Sequence, residues 1–568
     1  MTHYTTSAKE NVYLFVETCV ACGLKNVVVS PGSRNAPLVI AFDEHPEVNC
    51  IVIHDERSAA FFALGMVLAK NEPVAVLCTS GSAVLNYFPA VAEAFYQCKP
   101  LVVISADRPK EWVNHGDGQT IMQENVFGKH VRNQLTLSDQ NESESYQKQL
   151  RDGVKNVFSS ALGGWKGPIH INFGLNEPLY GTRLVDRLIH PLLIDFDFEI
   201  EKKELVVEMD LLGQIWQSSK KKLVLCGQME KNGFLQQQLQ ILSEDPSVIV
   251  MVENTSNLHH ANFIHCIDRT LESISDSLDD FDPEVLVTIG GAVISKKIKT
   301  WLRQSSVEEH WRIGPEFPEM DTYRKMTVSL TCSPNSFFLN LNGLTRQMDS
   351  TYGPKWKQKD HLAQEMATAF LSKASFCDLK VFELMLDCVP DDSVLSMANS
   401  SVIRYAQLFN PIRGVTYQAN RGTSGIDGST STAAGIAFSN PERWNVFITG
   451  DVSFFYDSNA LWNSNLTQNL RIVMINNGGG GIFDIIPGPS ATNQGEKYFV
   501  AKHDTSAQYL CKCFGIEYLK SGSEEELLGQ MENFFSYEEG ERPKLMEIDT
   551  KELENSEILK QFFTSIKQ

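Results

Sequence analysis

No uninterrupted apolar run in this 568-residue sequence reaches the roughly 18 residues that a bilayer-spanning helix needs. Residues Met1–Glu10 lack the basic-then-apolar pattern of a secretory leader. Basic residues are in short supply, 50 against 70 acidic, for a formal net charge of −20. That balance argues against a general nucleic-acid or anionic-membrane surface, which needs a basic face. Small anionic substrates stay open, because charges beyond about 8 Å are largely screened at physiological salt and a few local arginines can outweigh the global sign. The twelve cysteines are scattered and form no disulfide framework, so a cytoplasmic protein is expected. Cys19 and Cys22 make a C-x-x-C, but inside a helical pattern that begins near Ser7. A redox pair would open a helix after a strand, so two packed cysteines on a helix face are expected instead. There is no G-x-G-x-x-G, no short-period repeat and no low-complexity segment. Gly290-Gly291 follows a strand pattern and reads as a tight turn rather than a dinucleotide site.

What is present is an ordinary globular composition, 42% hydrophobic and 21% charged, long enough for about three or four domains. Short β-rich apolar runs alternate with amphipathic stretches, which predicts α/β domains with doubly wound parallel sheets. The first third predicts strands at Asn26–Ser30, Cys50–Ile53, Val74–Cys78, Leu101–Ser105 and Ile169–Asn172, with helices at Lys9–Gly23, Arg57–Lys70, Ala83–Gln97 and Gln147–Gly163. The middle third predicts strands at Lys222–Cys226, Ser247–Val252, Val285–Ile289 and Val328–Thr331. The last third adds Ser393–Ser396, Val415–Gln418, Trp444–Thr449, Arg471–Ile475 and Lys544–Asp549. Polar stretches from about Pro178 to Glu204 and from about Asn342 to Asp360 separate the three, giving units 1–185, 186–355 and 356–568.

The chemistry concentrates in the last unit. The strand pattern at Trp444–Thr449 ends directly in Gly450-Asp451, and the next, Arg471–Ile475, ends directly in Asn476-Asn477-Gly478-Gly479. The 24 residues from 452 to 475 fit one helix, expected at Asn459–Thr467, crossing between parallel strands. Both motifs then emerge at the carboxyl ends of strands, where ligands bind in open α/β sheets. The Asp451 carboxylate, the Asn477 amide oxygen and a carbonyl near Gly479 are hard oxygen donors of the kind Mg²⁺ takes, leaving ligand positions for diphosphate and water. Glycine lets the backbone approach phosphates closely.

Gly-Asp followed after about two dozen residues by Asn-Asn resembles the motif of thiamine-diphosphate-dependent enzymes. The resemblance implies three domains of that family's type: pyrimidine-binding, central and diphosphate-binding. It implies that Asp451, Asn477 and the Gly479 carbonyl hold Mg²⁺ (or Mn²⁺), with Gly450 and Ser453 beside the cofactor. A glutamate that activates the aminopyrimidine ring matches Glu56, after the strand Cys50–Ile53. Sequence mechanics alone would make Glu56 a cap for the following helix, favoured by the helix dipole; the resemblance makes it catalytic. A large apolar residue beneath the cofactor matches Ile426 in Arg421-Gly-Thr-Ser-Gly-Ile-Asp-Gly428.

Further segments narrow the likeness: Val29-Ser-Pro-Gly-Ser-Arg-Asn-Ala-Pro-Leu38, Thr79-Ser-Gly-Ser82, Ala106-Asp-Arg-Pro109, Asn399-Ser-Ser-Val-Ile-Arg404, Asn420–Gly428 and Gly478-Gly-Gly-Gly-Ile-Phe483. Together they resemble the synthase family of menaquinone biosynthesis that makes 2-succinyl-5-enolpyruvyl-6-hydroxy-3-cyclohexene-1-carboxylate. The likeness covers essentially the whole chain, with the middle third matching mainly around Ser295-Lys-Lys297. It implies a transferase that decarboxylates 2-oxoglutarate and adds the succinyl carbanion to isochorismate in 1,4 fashion. Both substrates are dicarboxylates, and arginine's planar fork grips a carboxylate with two parallel hydrogen bonds. By resemblance, Ser400 and Arg404 hold the far carboxylate of the 2-oxoglutarate unit. Ser33, Arg34, Arg108, Gln119, Lys296 and Arg421 face isochorismate, while Ile482 and Phe483 line the apolar side. A homodimer or homotetramer is implied, with first and last domains of opposite subunits forming each site. Val452-Ser453 replaces the glycine that many thiamine enzymes carry after Gly-Asp, a departure this family tolerates. No paired-histidine motif is evident, and His115 stands alone. The competing readings are another thiamine-diphosphate-dependent 2-oxoacid decarboxylase or carboligase, which would not need dicarboxylate clamps, and a non-catalytic homologue.

Overall fold

A computed structural model describes residues 3–186, 202–485, 492–536, 540 and 542–567. The chain divides into two compact units, one of Met1–Phe198 with Asn420–Glu442 and Tyr456–Leu470, the other of Glu199–Ala419, Arg443–Phe455 and Arg471–Gln568. No described helix is long and apolar enough to cross a membrane.

The first unit carries a six-stranded sheet in the spatial order Asn49–Val52, Asn26–Val29, Val74–Cys78, Leu101–Asp107, Ile169–Gly174, Asn133–Ser138. All five pairings are parallel. Its central strands are Val-, Ile- and Leu-rich and buried on both faces, as a sheet covered by helices on both sides requires. Strand order reverses between Asn26–Val29 and Val74–Cys78. Such a reversal opens a crevice at the carboxyl ends of the two strands.

The second unit holds two parallel sheets. One runs Val248–Val252, Lys222–Cys226, Val285–Ile289, Glu309–Ile313, Val328–Leu330. Alternate residues of its strands feed separate cores: Val224, Cys226 and Val250 pack with Trp216 and Trp311, whereas Leu223, Leu225 and Met251 pack with Trp301 and Trp356. That alternation is the doubly wound arrangement stated in side chains. The other sheet runs Thr416–Gln418, Val394–Met397, Asn445–Gly450, Leu470–Asn476, Lys544–Asp549, Glu517–Ser521 and reverses between Val394–Met397 and Asn445–Gly450. Cys19 and Cys22 are both buried, at and just beyond the end of the helix Glu10–Ala21. Of the twelve cysteines only Cys513, on the helix Gln508–Phe514, is exposed. Gly290 has φ +74°, and a Cβ on Gly227 would meet the Gly291 carbonyl at 2.2 Å, so these glycines allow two backbones to close on each other at the strand ends.

Several expectations are corrected. Residues 459–467 are not a helix; the connection is a helix at Asp451–Tyr456 and a 3₁₀ turn at Ser458–Leu461. The Asn463 side chain accepts from Asn465 N at 2.8 Å, a local bond that competes with helix. The expected helix Ala83–Gln97 breaks at Tyr87 into Ala83–Asn86 and Phe88–Tyr96, where Pro89 supplies no N–H. The stretch from Asn342 to Asp360 contains the start of a helix, Tyr352–Leu371, which buries Trp356, Ala363 and Ala367. The other stretch, from Pro178 to Glu204, lies partly outside the described residues; within it Thr182–Asp186 pairs antiparallel with His3–Ser7. The strand Glu309–Ile313 (EHWRI) escaped the hydrophobic pattern because its polar members are buried with partners, His310 Nε2 lying 2.9 Å from Thr288 Oγ1.

Candidate active site

In the second unit the strand Asn445–Gly450 hands Asp451 to a helix as its first residue, almost fully buried. Its Oδ2 accepts from Gly478 N at 2.8 Å and Gly479 N at 3.0 Å, and its Oδ1 from Val452 N at 2.6 Å. The Gly-Asp and Asn-Asn motifs are therefore joined directly, by a carboxylate on the backbone of the glycine loop. Burial pushes the Asp451 carboxyl up to about 6, while those amides and the neighbouring His503, 3.4 Å away, pull the other way. Asn477 Nδ2 donates to Asp378 Oδ2 at 2.9 Å, so the amide's Oδ1 faces away from that bond and is available to a cation. Gly478 has φ +79°, and a Cβ on Gly479 would meet Val500 O at 2.6 Å. Only glycine fits where the loop packs on residues 500–503. A carboxylate, an amide oxygen and a carbonyl brought to one strand-end loop make a donor set that fits a hard divalent cation. Ser453 is buried two residues further along the Asp451–Tyr456 helix.

On the other side of the sheet's reversal, Ser400 follows the strand Val394–Met397 with φ +72° and ψ −128°. A serine in that region is strained by about 1–3 kcal/mol, a cost tolerated mainly at functional sites. It launches the short helix Ser401–Ala406, which carries Arg404 into a cavity of about 580 Å³ together with Lys296 and Ile482. Lys296 opens the helix Lys296–Gln304, capped by Ser295, which accepts from Ile298 N at 3.0 Å. The loop before it is pinned by Glu253, whose carboxylate takes Ile294 N and Ser295 N at 2.7 and 2.8 Å. Burial lowers the Arg404 pKa, and the charges of Asp268 and Glu253 offset it. Asp268, Glu272 and Lys297 also line this cavity, so its three cations sit among carboxylates, Lys297 being paired with Glu272. Ser400 and Phe483 are not brought to it: the neighbour Ser401 lines it instead, and the Phe483 ring packs on Phe499 at 5.8 Å.

The first unit gathers a second group at its own strand ends. Pro31-Gly32 closes on Thr79, whose Cβ would lie 2.3 Å from a Cβ on Gly32. Next to it Ser33 is exposed, while Arg34 is buried, donating to Leu175 O at 3.0 Å and pairing with Glu177 at 3.2 Å. Burial lowers the Arg34 pKa, and the nearby positive charge of Arg108 lowers it further. Arg108 reaches Gly118 O at 3.4 Å, and Gln119, with φ +57°, packs its backbone over Gly81. Ser33, Arg34, Arg108 and Gln119 are thus neighbours, though Arg34 is already engaged by its own chain. Arg421 is buried at the start of a loop that Glu93 fixes, accepting from Gly422 N and Thr423 N at 2.6 and 2.7 Å. Ile426 is half-buried in the same loop.

Glu56 is the first residue of the helix Glu56–Lys70, but the cap is Asp55, which accepts from Ser58 N at 2.9 Å. Burial raises the Glu56 pKa, and Asp55 adds to the effect. Its charge is felt by the buried Cys78 thiol and Tyr87 phenol, both pushed up mainly by burial. Sequence reasoning missed Asp378, Glu253 and His503. No motif or spacing marks them, because they act through partners distant in the chain.

Comparison with known proteins identifies the family of the chain. Residues 12–131 match the model of the thiamine pyrophosphate enzyme N-terminal binding domain, and residues 200–397 the model of the thiamine pyrophosphate middle domain. A 2-succinyl-5-enolpyruvyl-6-hydroxy-3-cyclohexene-1-carboxylate synthase of Flavobacterium johnsoniae is 43% identical, covering 97% of this chain and 98% of its own. Synthases of the same name from Christiangramia forsetii and Porphyromonas gingivalis are 41% and 35% identical, over 97% and 99% of this chain and 98% of each relative. At that identity over nearly its full length, the chain belongs to the thiamine-diphosphate-dependent 2-succinyl-5-enolpyruvyl-6-hydroxy-3-cyclohexene-1-carboxylate synthase family.

Proposed function

We propose that this protein decarboxylates 2-oxoglutarate and joins the resulting succinyl unit to isochorismate by 1,4-addition, giving the product after which its family is named. The observation that carries the reading is the Asp451–Asn477–Gly479 cradle at adjacent strand ends, in the same unit as a cavity that presents Lys296 and Arg404. When bound, thiamine diphosphate supplies an electron sink for loss of carbon dioxide from a 2-oxoacid. The chain's own part is to bind, orient and exclude water. Asp451, Asn477 and the Gly479 carbonyl would hold Mg²⁺ or Mn²⁺ for the diphosphate, with Gly450 and Ser453 alongside. Glu56 would hold or move a proton at the aminopyrimidine, a role its raised pKa and partial burial support. Ile426 would support the cofactor's conformation.

In this reading Ser400 and Arg404 take the far carboxylate of the 2-oxoglutarate unit. Ser33, Arg34, Arg108, Gln119, Lys296 and Arg421 face isochorismate, and Ile482 and Phe483 give the apolar wall. Residues 1–185 serve as the pyrimidine-binding domain, 186–355 as the central domain and 356–568 as the diphosphate-binding domain. The working form is a cytoplasmic homodimer or homotetramer. The test is product identification by mass spectrometry after incubation with thiamine diphosphate, Mg²⁺ and both substrates. Formation of the succinylated cyclohexene product is expected. Rapid turnover of pyruvate that ignores isochorismate would instead support an acetolactate-synthase-like carboligase and overturn the reading.

A further inference from the structure

Asp378 belongs to no motif read from the sequence, yet it is buried directly behind Asn477. It opens the helix Asp378–Cys388, and both its oxygens are used. Oδ2 accepts from Asn477 Nδ2 at 2.9 Å and Oδ1 from Thr550 Oγ1 at 2.6 Å. Its own N–H donates to Asn555 Oδ1 at 2.8 Å, and Asn555 Nδ2 returns to Thr550 O at 3.0 Å. Thr550 N in turn donates to Asn476 O at 3.0 Å, at the end of the strand that delivers Asn477. The residue is therefore held at three points, its two carboxylate oxygens and its backbone N–H, and of the two side chains that donate to the carboxylate one is Asn477.

An amide presents either its oxygen or its nitrogen after a half-turn, and only the oxygen can ligate a hard cation. Both oxygens of Asp378 accept here, Oδ1 from Thr550 and Oδ2 from Asn477, so the carboxylate selects one of the two orientations. We infer that Asp378 is the positioning residue for the metal cradle, holding the Asn477 NH₂ group so that Oδ1 is presented to the cation. The inference rests on the metal-cradle reading of Asp451, Asn477 and Gly479. Partners that orient a metal ligand from behind typically change metal affinity by about 10–100-fold when removed.

The test uses the full chain with saturating thiamine diphosphate, titrated with Mn²⁺ while electron paramagnetic resonance reads the free ion. Asp378→Asn preserves shape but can either donate or accept, so it no longer dictates the flip, and a Mn²⁺ affinity about 10–100-fold weaker is expected. In the double variant Asp378→Asn/Asn477→Asp the donor and acceptor change places. Asn at 378 can still accept from Thr550 and now donates to Asp at 477, which offers oxygen in either orientation. The swap should recover most of the lost affinity. A role limited to holding the helix Asp378–Cys388 in place would give no such rescue. Should Asp378→Asn fail to fold, the comparison is between the swap and Asn477→Asp alone, which sets two carboxylates face to face and should bind worse. Binding by Asp378→Asn within twofold of the parent, or a swap no better than the single variants, overturns the inference. Failure of the parent to take up Mn²⁺ would instead sink the metal-cradle reading on which it stands.

Discussion

Asp55 and Glu56 are consecutive carboxylates separated in function by one peptide unit. Asp55 accepts from Ser58 N and, through its other oxygen, from Asn459 Nδ2 at 2.8 Å, which spends it on structure. Glu56 is left half-buried, and that burial raises its pKa above the ordinary carboxylate value. Glu56→Gln removes the proton and keeps the shape. It should leave thiamine diphosphate affinity, measured by titration calorimetry, within a few-fold and lower kcat by about 10²–10⁴-fold. Undiminished turnover would mean that another group activates the cofactor. The sequence pattern located Glu56 at a strand-to-helix turn but could not tell which of two adjacent acids would cap, because capping depends on the backbone angles of one residue.

The helices Glu56–Lys70 and Ser429–Ser439 cross at glycine. A Cβ on Gly65 would meet Thr432 O at 2.1 Å, one on Gly435 would meet Phe62 O at 2.0 Å, and one on Gly428 would strike the Phe61 ring. Backbone oxygens cannot turn aside as side chains do. Gly65→Ala should therefore cost about 1–3 kcal/mol or more, despite alanine's better helix propensity, and appear as a lower urea midpoint. An unchanged midpoint would show that the crossing can relax. Asp457 ties the same helix at its start, accepting from Ser431 N at 2.7 Å and Ser431 Oγ at 3.0 Å. Burial pushes its carboxyl up to about 7, above the ordinary 3.8 of the unfolded chain. The folded state thus binds the extra proton between those values, and this group's contribution to stability falls as pH rises from about 4 through 7. Asp457→Asn should flatten the pH dependence of unfolding across that window; an unaltered slope would assign it to other groups. Strand positions beside both motifs were legible because buried parallel strands are written as apolar runs. The Gly65–Thr432 contact and the loss of helix at 459–467 were not, since one needs a partner more than 360 residues away and the other turns on asparagine side-chain bonds.

At the scale of the molecule, three parallel sheets repeat one plan and put it to different ends. The sheets containing Asn26–Val29 and Val394–Met397 reverse direction and bring polar residues to the opening. The sheet containing Lys222–Cys226 reverses likewise, but Gly227 and Gly291 press backbone on backbone there, and the unit contributes Lys296 from a helix instead. The proposed assembly predicts a solution mass, by light scattering, of two or four times 63.7 kDa; a monomer that is active at assay concentration would exclude it. Of the proposed clamp residues, Arg404 was legible as a cation in a strand-end loop and Lys296 only through the family resemblance, and nothing in the sequence showed that Asp268 and Glu272 share their cavity. The exposed Cys513 gives this molecule a practical handle. Eleven other thiols are buried or half-buried, with Cys50 pushed up to about 12 by burial, so a brief exposure to a maleimide dye should label the helix Gln508–Phe514 first. One chromophore per chain would then allow energy transfer between copies to report subunit exchange without engineering a cysteine-free background.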